Sequence, residues 1–352
     1  MSLPDALLRR FPRLRDLPRG SYVVGGAVRD LLLGVDPVDV DIACSDPAAA
    51  AARISPRLIR LGTEDHLSAW RVVDGGHVYD FAAMEGGAIG PDLARRDFTV
   101  NAMAVSLDEG TLLDPHGGQR DLERRLVRMI DPSNFDDDPL RCLKAVRMAV
   151  RFDFNIDPET MAAIRSRAAS VLAVAPERVI YELEVIFSSG RFRKAVALLR
   201  EAALDGPLFG KELRTDYGAD DVSFAGAMAL LVTDPKEWAK RWRWSAGLLR
   251  QTVALQSLLA ADGEDLRVAL YDAGDQVAQQ LPAVLRALGR DGAVVMPDFS
   301  IRPLLDGEEI AAATGLRPGA ELGRLKRALL EAQIRGEVKT AEEAAAFIAA
   351  RR

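Results

Sequence analysis

The amino-acid sequence predicts an α+β protein, a small mixed β-sheet followed by an all-helical remainder, and two observations carry that expectation. Up to about residue 130 the chain holds short β-branched runs with period-two alternation, and beyond it segment after segment is rich in Ala, Leu, Arg and Glu. In order, Tyr22-Val23-Val24 reads as a strand ending at Gly25-Gly26, and Ala27 to Leu33 as a short helix stopped by Gly34. Val38-Asp39-Val40-Asp41-Ile42 alternates as a half-buried strand does. Trp70 to Val73 and His77 to Phe81 flank Asp74-Gly75-Gly76, the pattern of a hairpin. Helical patterns then run from Asp138 through Arg151, on to about Phe187 and on to Arg200, break at Gly206-Pro207 and Gly210, and resume around Trp238, Trp242 and Trp244. The segment Arg324 to Arg335 is expected to end the helical rear half, glycines between 286 and 292 mark loops, and no fixed-period repeat is visible.

Charge and composition exclude several classes. With 46 basic and 52 acidic residues the net charge is -6, so the molecule as a whole is no cationic coat for nucleic acid, and an RNA site has to be a local basic patch. Two cysteines, Cys44 and Cys142, cannot build a disulfide framework. Three histidines, His66, His77 and His116, are too few for a typical zinc or His-rich hydrolase site, which leaves carboxylates as the ligands of any metal. We expect packing or hydrogen-bonding roles for His66, His77 and both cysteines. The N-terminus lacks the pattern of a signal peptide and no stretch approaches ~20 apolar residues, so a soluble, cytoplasmic protein without membrane contact is expected.

The chemistry concentrates near the front. On a strand Asp39 and Asp41 share one face, ~7 Å apart along the backbone, while Val40 and Ile42 point into a core. Two carboxylates on one face can cradle a cation, although an isolated Asp-x-Asp is more often a solvated strand face. Just upstream, a strand turning through Gly25-Gly26 into a helix leaves backbone N–H groups suited to phosphate oxygens, with Arg29 on the first turn. A phosphate nest and a carboxylate pair within so short a stretch match metal-assisted phosphoryl transfer, and Asp80, on its own alternating strand, could supply a third carboxylate.

At these residues a family resemblance emerges. Gly25-Gly26-Ala27-Val28-Arg29-Asp30, Gly34 and Asp39-Val40-Asp41 resemble the first signature of the class II tRNA nucleotidyltransferase and bacterial poly(A) polymerase family, of the polymerase-β superfamily. Arg95-Arg96-Asp97-Phe98-Thr99-Val100-Asn101-Ala102 is similar to the second motif, and Asp114-Pro115, Gly117-Gly118 and Asp121-Leu122 to the next. Asp137-Asp138-Pro139-Leu140-Arg141 stands where the family has Glu-Asp-x-x-Arg, and Glu177-Arg178-Val179-Ile180-Tyr181-Glu182-Leu183 resembles the last motif. The motifs cover residues 20–187, and Leu316 to Gln333 also resembles the family's C-terminal helices. Two departures, Asp137 for Glu and Lys144 where arginine is common, bear on fine positioning.

The resemblance implies a nucleotidyltransferase head over residues 1–130, a nucleotide-selecting helical neck over 131–200, and a tRNA-binding helical body and tail over 201–352. It implies a template-independent enzyme that adds C to the tRNA 3′ end from CTP, and A from ATP where the whole CCA end is made, releasing pyrophosphate. Asp39 and Asp41 would bind two Mg²⁺ and Asp80 would help activate the RNA 3′-hydroxyl. Arg29 and the Gly25-Gly26 amides would hold the triphosphate, with Asp30 and Asn101 in the same nucleotide site, while Asp97, set by Arg95 and Arg96, would read the ribose hydroxyls. Asp138 reads as a helix N-cap before Pro139, with Arg141 a turn further on the same face. Alone, such a pair is capping plus a surface ion pair; the resemblance makes it a protein template for the base edge.

Arg141, Lys144, Arg147 and Arg151 form a basic face beside the apolar stripe Leu140, Leu143, Val146 and Val150, ordinarily a solvated face; the resemblance implies that its N-terminal end borders the nucleotide site, with Lys144 and Arg147 there too. Arg191, Arg193, Lys194, the run Lys240 to Arg243, Arg324, Lys326 and Arg327 are candidates for contacting the phosphates of a tRNA acceptor arm, with the tryptophans as readily core as stacking platforms. A poly(A) polymerase or A-adding enzyme of the same family, and an inactive RNA-binding protein on the same scaffold, are the alternatives; the latter is expected to lose its aspartates. Finally, only Phe81 to Ala94 separate Asp80 from Arg95, with a tight turn at Glu85-Gly86-Gly87, whereas members that add the whole CCA end generally carry a longer flexible loop there. The expected product is therefore CC, with a separate enzyme adding A.

Overall fold

A computed structural model describes residues 2–61, 69–261, 263–290 and 292–351; His66 lies outside the described residues. Seven strands, β1 (Tyr22–Val24), β2 (Asp39–Cys44), β3 (Ile59–Leu61), β4 (Ala69–Asp74), β5 (His77–Ala83), β6 (Ala104–Ser106) and β7 (Leu112–Leu113), form one mixed sheet in the order β3-β4-β5-β2-β1-β6-β7. Only β2 and β5 pair in parallel; every other neighbour in this sheet is antiparallel. The predicted hairpin is present, with Asp74 opposite His77 and Trp70 opposite Phe81.

Helices α1 (Leu3–Arg10), α2 (Gly26–Leu32) and α3 (Pro47–Ile54) cover one face of the sheet, α3 being started by Asp46, whose carboxylate accepts from the Ala49 N–H, and by Pro47 in the first turn. Under them lie Val40, Ile42, Val72, Tyr79 and Phe81, none more than 1% exposed, with Phe11 edge-on to Tyr79 at 5.8 Å. Period-two alternation does the rest: Asp39 and Asp41 emerge on the opposite face.

Beyond the sheet come α4 (Ile89–Ala94), α5 (Gly118–Glu123), α6 (Asn134–Asp137), α7 (Arg141–Arg151), α8 (Pro158–Arg167) and α9 (Pro176–Phe187), with a small parallel pair, β8 (Leu126–Val127) and β9 (Asn155–Ile156). The apolar stripe predicted on α7 is buried throughout: Leu140 is 3% exposed and Leu143, Val146 and Val150 are fully covered. Contact density groups Met1–Ile186 with Leu198–Glu212 as one compact unit, so the first helices assigned to the neck cluster with the head.

The second unit comprises Phe187–Ala197 and Leu213–Arg352. Helices Phe224–Leu231, Ala246–Ala260, Gly263–Ala273 and Leu281–Ala287 close over Ala225, Leu255, Leu258, Leu270 and Leu281, and helices Gly307–Thr314, Ala320–Arg335 and Ala341–Ala349 over Ile310, Leu329 and Ile348. The expectation that Arg335 ends the helical region is corrected here: Gly336 takes φ 82° and stops that helix, and Thr340 opens another with a reciprocal Thr340–Glu343 capping box. Trp238 and Trp242 are core, 7% and 3% exposed, with Trp238 edge-on to Trp244 at 5.0 Å. No helix among the described residues is long and apolar enough to cross a membrane.

Gly118 shows how tightly α5 is seated on the motif that carries Thr99. A Cβ there would lie 2.4 Å from the Thr99 carbonyl oxygen and 3.0 Å from the Met103 side chain. Gly118→Ala should therefore destabilise the protein by roughly 2 kcal/mol, read as a lowered urea midpoint, because backbone rather than a flexible side chain blocks the added methyl.

Candidate active site

Register brings the three predicted aspartates onto one face. Asp41 lies directly opposite Asp80 across the parallel β2/β5 pair, and Asp39 is two residues back on the same strand. The backbone beside them is set by Gly25, which takes φ 72° at the end of β1, a conformation that favours glycine; a Cβ there would also meet the Arg96 guanidinium at 2.8 Å, which that flexible side chain could relieve by shifting. The resulting cleft has a volume of about 450 Å³ and is walled by Gly25, Gly26, Arg29, Asp30, Asp36, Val38, Asp39, Asp41, Arg96, Asp97, Asn101, Arg147, Arg151 and Tyr181.

Asp41 opens onto the cleft water yet is recessed among its walls. Desolvation there pushes its carboxyl up to about 6; Arg96 opposes the rise, and Asp80 and Asp39 add to it. Among the described residues no three His, Cys, Asp or Glu side chains converge closely enough to hold a metal by themselves. Asp39 and Asp41 are instead a two-carboxylate donor set, which suits Mg²⁺, a cation commonly held by one or two carboxylates together with substrate phosphates. The smaller contribution, from the charges of Asp80 and Asp39, is the excess that a divalent cation relieves.

Arg29 lies at the cleft wall but is 8% exposed and fully engaged. Its Nε and Nη2 reach Asp30 Oδ1 at 2.7 and 2.5 Å, its Nη1 donates to Asn101 Oδ1 at 2.6 Å, and its plane stands 4.7 Å from the Phe152 ring. Asn101 in turn donates to Asp97 Oδ1 at 2.9 Å, and the Phe98 N–H donates to the same oxygen at 2.8 Å. Burial lowers the Arg29 guanidinium below its ordinary value, with Asp30 opposing. Asp30, Arg29 and Asn101 thus form a strut behind Asp97. Arg96 pairs with Asp92 at 3.0 Å, and Arg95 with Glu85 at 2.5 Å and Asp137 at 3.5 Å.

The Asp138 carboxylate and the Arg141 guanidinium have other partners, although the Arg141 N–H donates to the Asp138 carbonyl at 3.0 Å. Asp138 is not the N-cap expected of it: Leu140 holds that position on α7 and Asp138 ends α6, its Oδ1 accepting from the Leu140 N–H, while its Oδ2 meets Lys144 Nζ at 3.3 Å and Arg178 Nη2 at 3.0 Å. Burial alone would raise its carboxyl, but Lys144 and Arg178 outweigh that and hold it below the usual carboxylate range. Arg141 donates instead to the Asn134 and Arg95 carbonyls at 2.7 and 2.8 Å. Arg147 sits 2.9 Å from Glu182, which is 3% exposed and whose carboxyl burial pushes up. Asp80, Arg95, Asp138, Arg141 and Lys144 are outside the set that walls the cleft.

Sequence reasoning missed Arg71, Arg178, Tyr181 and Glu182 as site residues. The last three lie in the final quoted motif, where the face of α9 they share could have been read; Arg71 is findable only through the hairpin register. Tyr181 is 58% exposed and offers an open ring to the cleft. Of the basic residues assigned to RNA, Arg193 pairs with Asp220 at 3.6 Å, Arg191 and Lys194 flank it, and Arg324 and Lys326 stand exposed on the helix Ala320–Arg335. Arg327 is clamped by Asp272 and Glu331, which raise its guanidinium further, and Arg241 stacks on Trp242 at 5.0 Å. Cys44 and Cys142 are buried free thiols, each pushed up to about 11 by burial.

A mixed sheet whose central parallel pair aligns an Asp-x-Asp with a third aspartate, beside a strand–glycine–helix turn, defines a nucleotidyltransferase head. Comparison with known proteins agrees: residues 21–85 and 76–128 match the Poly A polymerase head domain, and residues 153–215 match a probable RNA and SrmB-binding site of polymerase A. The chain is 31% identical to the A-adding tRNA nucleotidyltransferase of Deinococcus radiodurans, over 97% of this chain and 98% of that one. It is 30% identical to the CC-adding tRNA nucleotidyltransferase of Thermus thermophilus, over 94% and 93%. Its fold matches the crystal structure of the Bacillus stearothermophilus CCA-adding enzyme in complex with CTP with a TM-score of 0.81 and 26% identity, covering 100% of this chain and 98% of that one. The chain belongs to the tRNA nucleotidyltransferase and poly(A) polymerase family.

The raised carboxyl of Asp41 gives a pH test. The folded protein holds this proton to higher pH than the unfolded chain does, so the stability Asp41 contributes is present below about pH 4 and is lost as pH rises through about 6. In metal-free protein, the difference in urea midpoint between wild type and Asp41→Asn should change across that window and level off above it; a constant difference from pH 4 to 7 would show an unperturbed carboxyl.

Proposed function

We propose that this chain is a template-independent nucleotidyltransferase that adds cytidine to the 3′ end of tRNA from CTP, releasing pyrophosphate, in a cytoplasmic setting. The observation that carries the reading is the alignment of Asp39, Asp41 and Asp80 on one sheet face beside the Gly25-Gly26 turn. Two Mg²⁺ held by Asp39 and Asp41 would supply Lewis-acid activation of the attacking hydroxyl and neutralise charge on the phosphates. The chain's own part is positional. The Gly25 N–H, expected at the triphosphate, donates to the Met103 carbonyl at 3.2 Å, so the polyphosphate is assigned to the Gly26 end of α2, with Arg96, Arg147 and Arg151 bringing positive charge to the same cleft. Asp97, fixed by Asn101 and the Phe98 N–H, is placed to accept from ribose hydroxyls. Asp80 is assigned to the proton of the RNA 3′-hydroxyl, a role that requires Arg71, which holds both of its oxygens here, to exchange partners.

Base selection is assigned to Asp138 and Arg141 in the neck. A side chain that reads a base edge has to be held still, and each is held by partners other than the other: Asp138 by Lys144 and Arg178, Arg141 by two carbonyls. The open ring of Tyr181 offers a face for stacking a base. The basic residues Arg191, Arg193, Lys194, Arg324 and Lys326 are assigned to the acceptor arm. An inactive RNA-binding scaffold would have no need to keep all three aspartates.

The endpoint rests on the segment between Asp80 and Arg95. It is ordered throughout: β5 runs to Ala83, a turn at Glu85–Gly87 uses φ of 60° and 72° at Gly86 and Gly87, and α4 follows. Arg95 grips Glu85 across it and Arg96 grips Asp92. A segment this short, with a tight turn at its middle, gives little length for a lever that switches the pocket from C to A, which supports CC addition with a separate enzyme completing the end.

Two outcomes test these readings. Asp39→Ala or Asp41→Ala should cut incorporation of labelled CTP into tRNA by at least about a thousandfold while circular dichroism stays unchanged, because each removes a surface metal ligand and no core contact. Given Mg²⁺, a transcript ending at the discriminator base should gain two residues from CTP, and one ending in CC should stay mostly unextended with ATP. Efficient A addition would sink the CC endpoint and leave the metal site standing.

A further inference from the structure

The third carboxylate of the row is already occupied. Arg71 on β4 lies directly opposite Asp80 in the antiparallel register, and its Nε and Nη2 donate to the two Asp80 oxygens, each at 2.7 Å. Two parallel charge-assisted bonds of this kind are among the stronger polar contacts a protein makes. Arg71, Asp80 and Asp41 stand side by side on β4, β5 and β2, so the guanidinium extends the same face on which the carboxylates stand. Its basicity is raised by the bonds to Asp80 and by the charges of Asp80, Asp39 and Asp41 together. With the Arg71 side chain 40% exposed and Asp80 17%, the pair is open enough to exchange partners.

We propose that Arg71 is the resident counter-charge of the carboxylate row, occupying Asp80 until a divalent cation competes for it, and that Arg71 thereby sets the cation concentration at which the site fills. This rests on the reading of Asp39 and Asp41 as metal ligands. Three anions on neighbouring strands repel one another, and in the cation-free protein Arg71 offsets one of them. A cation entering at Asp39 and Asp41 meets the repulsion of that guanidinium and finds both Asp80 oxygens engaged. Removing Arg71 lifts both obstacles, so cation affinity rises. A brace that merely orients Asp80 makes the opposite forecast, since its loss would slacken a ligand-bearing strand and weaken the site.

Mn²⁺ binding to nucleotide-free protein, followed by the free-ion electron paramagnetic resonance signal, separates these. Arg71→Gln should reach half-saturation at about one-tenth of the wild-type Mn²⁺ concentration, the scale of removing one charge a few ångströms from the ion in a solvated cleft. Arg71→Lys, which keeps the charge but loses the fork, should fall between the two and serves where the glutamine variant folds poorly. Half-saturation at or above the wild-type concentration in these variants would overturn the proposal. Asp41→Asn is the control: it should weaken binding strongly, and wild-type binding there would instead overturn the metal-site reading on which the proposal stands.

Discussion

The structure depends on like charges being crowded where hydrogen bonding has fixed the spacing. Parallel pairing of β2 and β5 sets Asp41 against Asp80, and alternation along β2 brings Asp39 to the same face. Neither side chain can be moved away without a one-residue slip that would drive Val40 and Ile42 out of the core. The hydrophobic side of the sheet therefore enforces the electrostatic strain on its other side. Arg71 and Arg96 moderate that strain from opposite directions, one bonded to Asp80 and one facing Asp41.

Around this row the polar side chains are braced rather than free. The Asp30–Arg29–Asn101–Asp97 strut, the Thr99 hydroxyl and Arg128 guanidinium on buried Asp121, and the carbonyls that anchor Arg141 all tie motif residues to backbone or to one another. Asp121 is 1% exposed and is met there by Arg128 at 2.7 Å and by the Thr99 hydroxyl at 2.6 Å. Much of what a family motif preserves here is scaffolding one step removed from the cleft.

What could be read in the sequence follows from the range of the forces involved. Alternation and glycine turns are local, so β1, β2, the β4/β5 hairpin and α7 were legible with nearly correct limits. Helix ends late in the chain were less so: the alanine-rich Ala341–Ala349 has too little contrast between its faces to announce itself, although Thr340 and Glu343 spell a capping box. In the site, Asp39, Asp41 and Arg29 were legible as a cluster because they fall within one strand–helix–strand unit. The partner of Asp138 was not, because Arg178 comes from a different helix. Arg71 was invisible as chemistry, since nothing in Trp70-Arg71-Val72 distinguishes a surface arginine from one set against a carboxylate by register.

The cleft is bipolar. Its walls carry Asp39 and Asp41 from β2 and Arg147 and Arg151 from α7, while Arg29 beside Asp30 and Arg96 beside Asp97 set opposite charges next to each other between them. Such an arrangement has little net charge and a strong internal field, so it orients dipolar visitors more than it attracts ions. Asp39 and Asp41 disfavour a bare polyphosphate beside β2, and Arg147 and Arg151 disfavour a bare cation beside α7. A polyphosphate that already carries its cation presents both signs and can align with both walls at once. At physiological ionic strength this discrimination is felt over about 8 Å, so it acts only at the mouth of the cleft. Such a field would favour one chemical form of a visitor at the mouth, whatever its base or sugar.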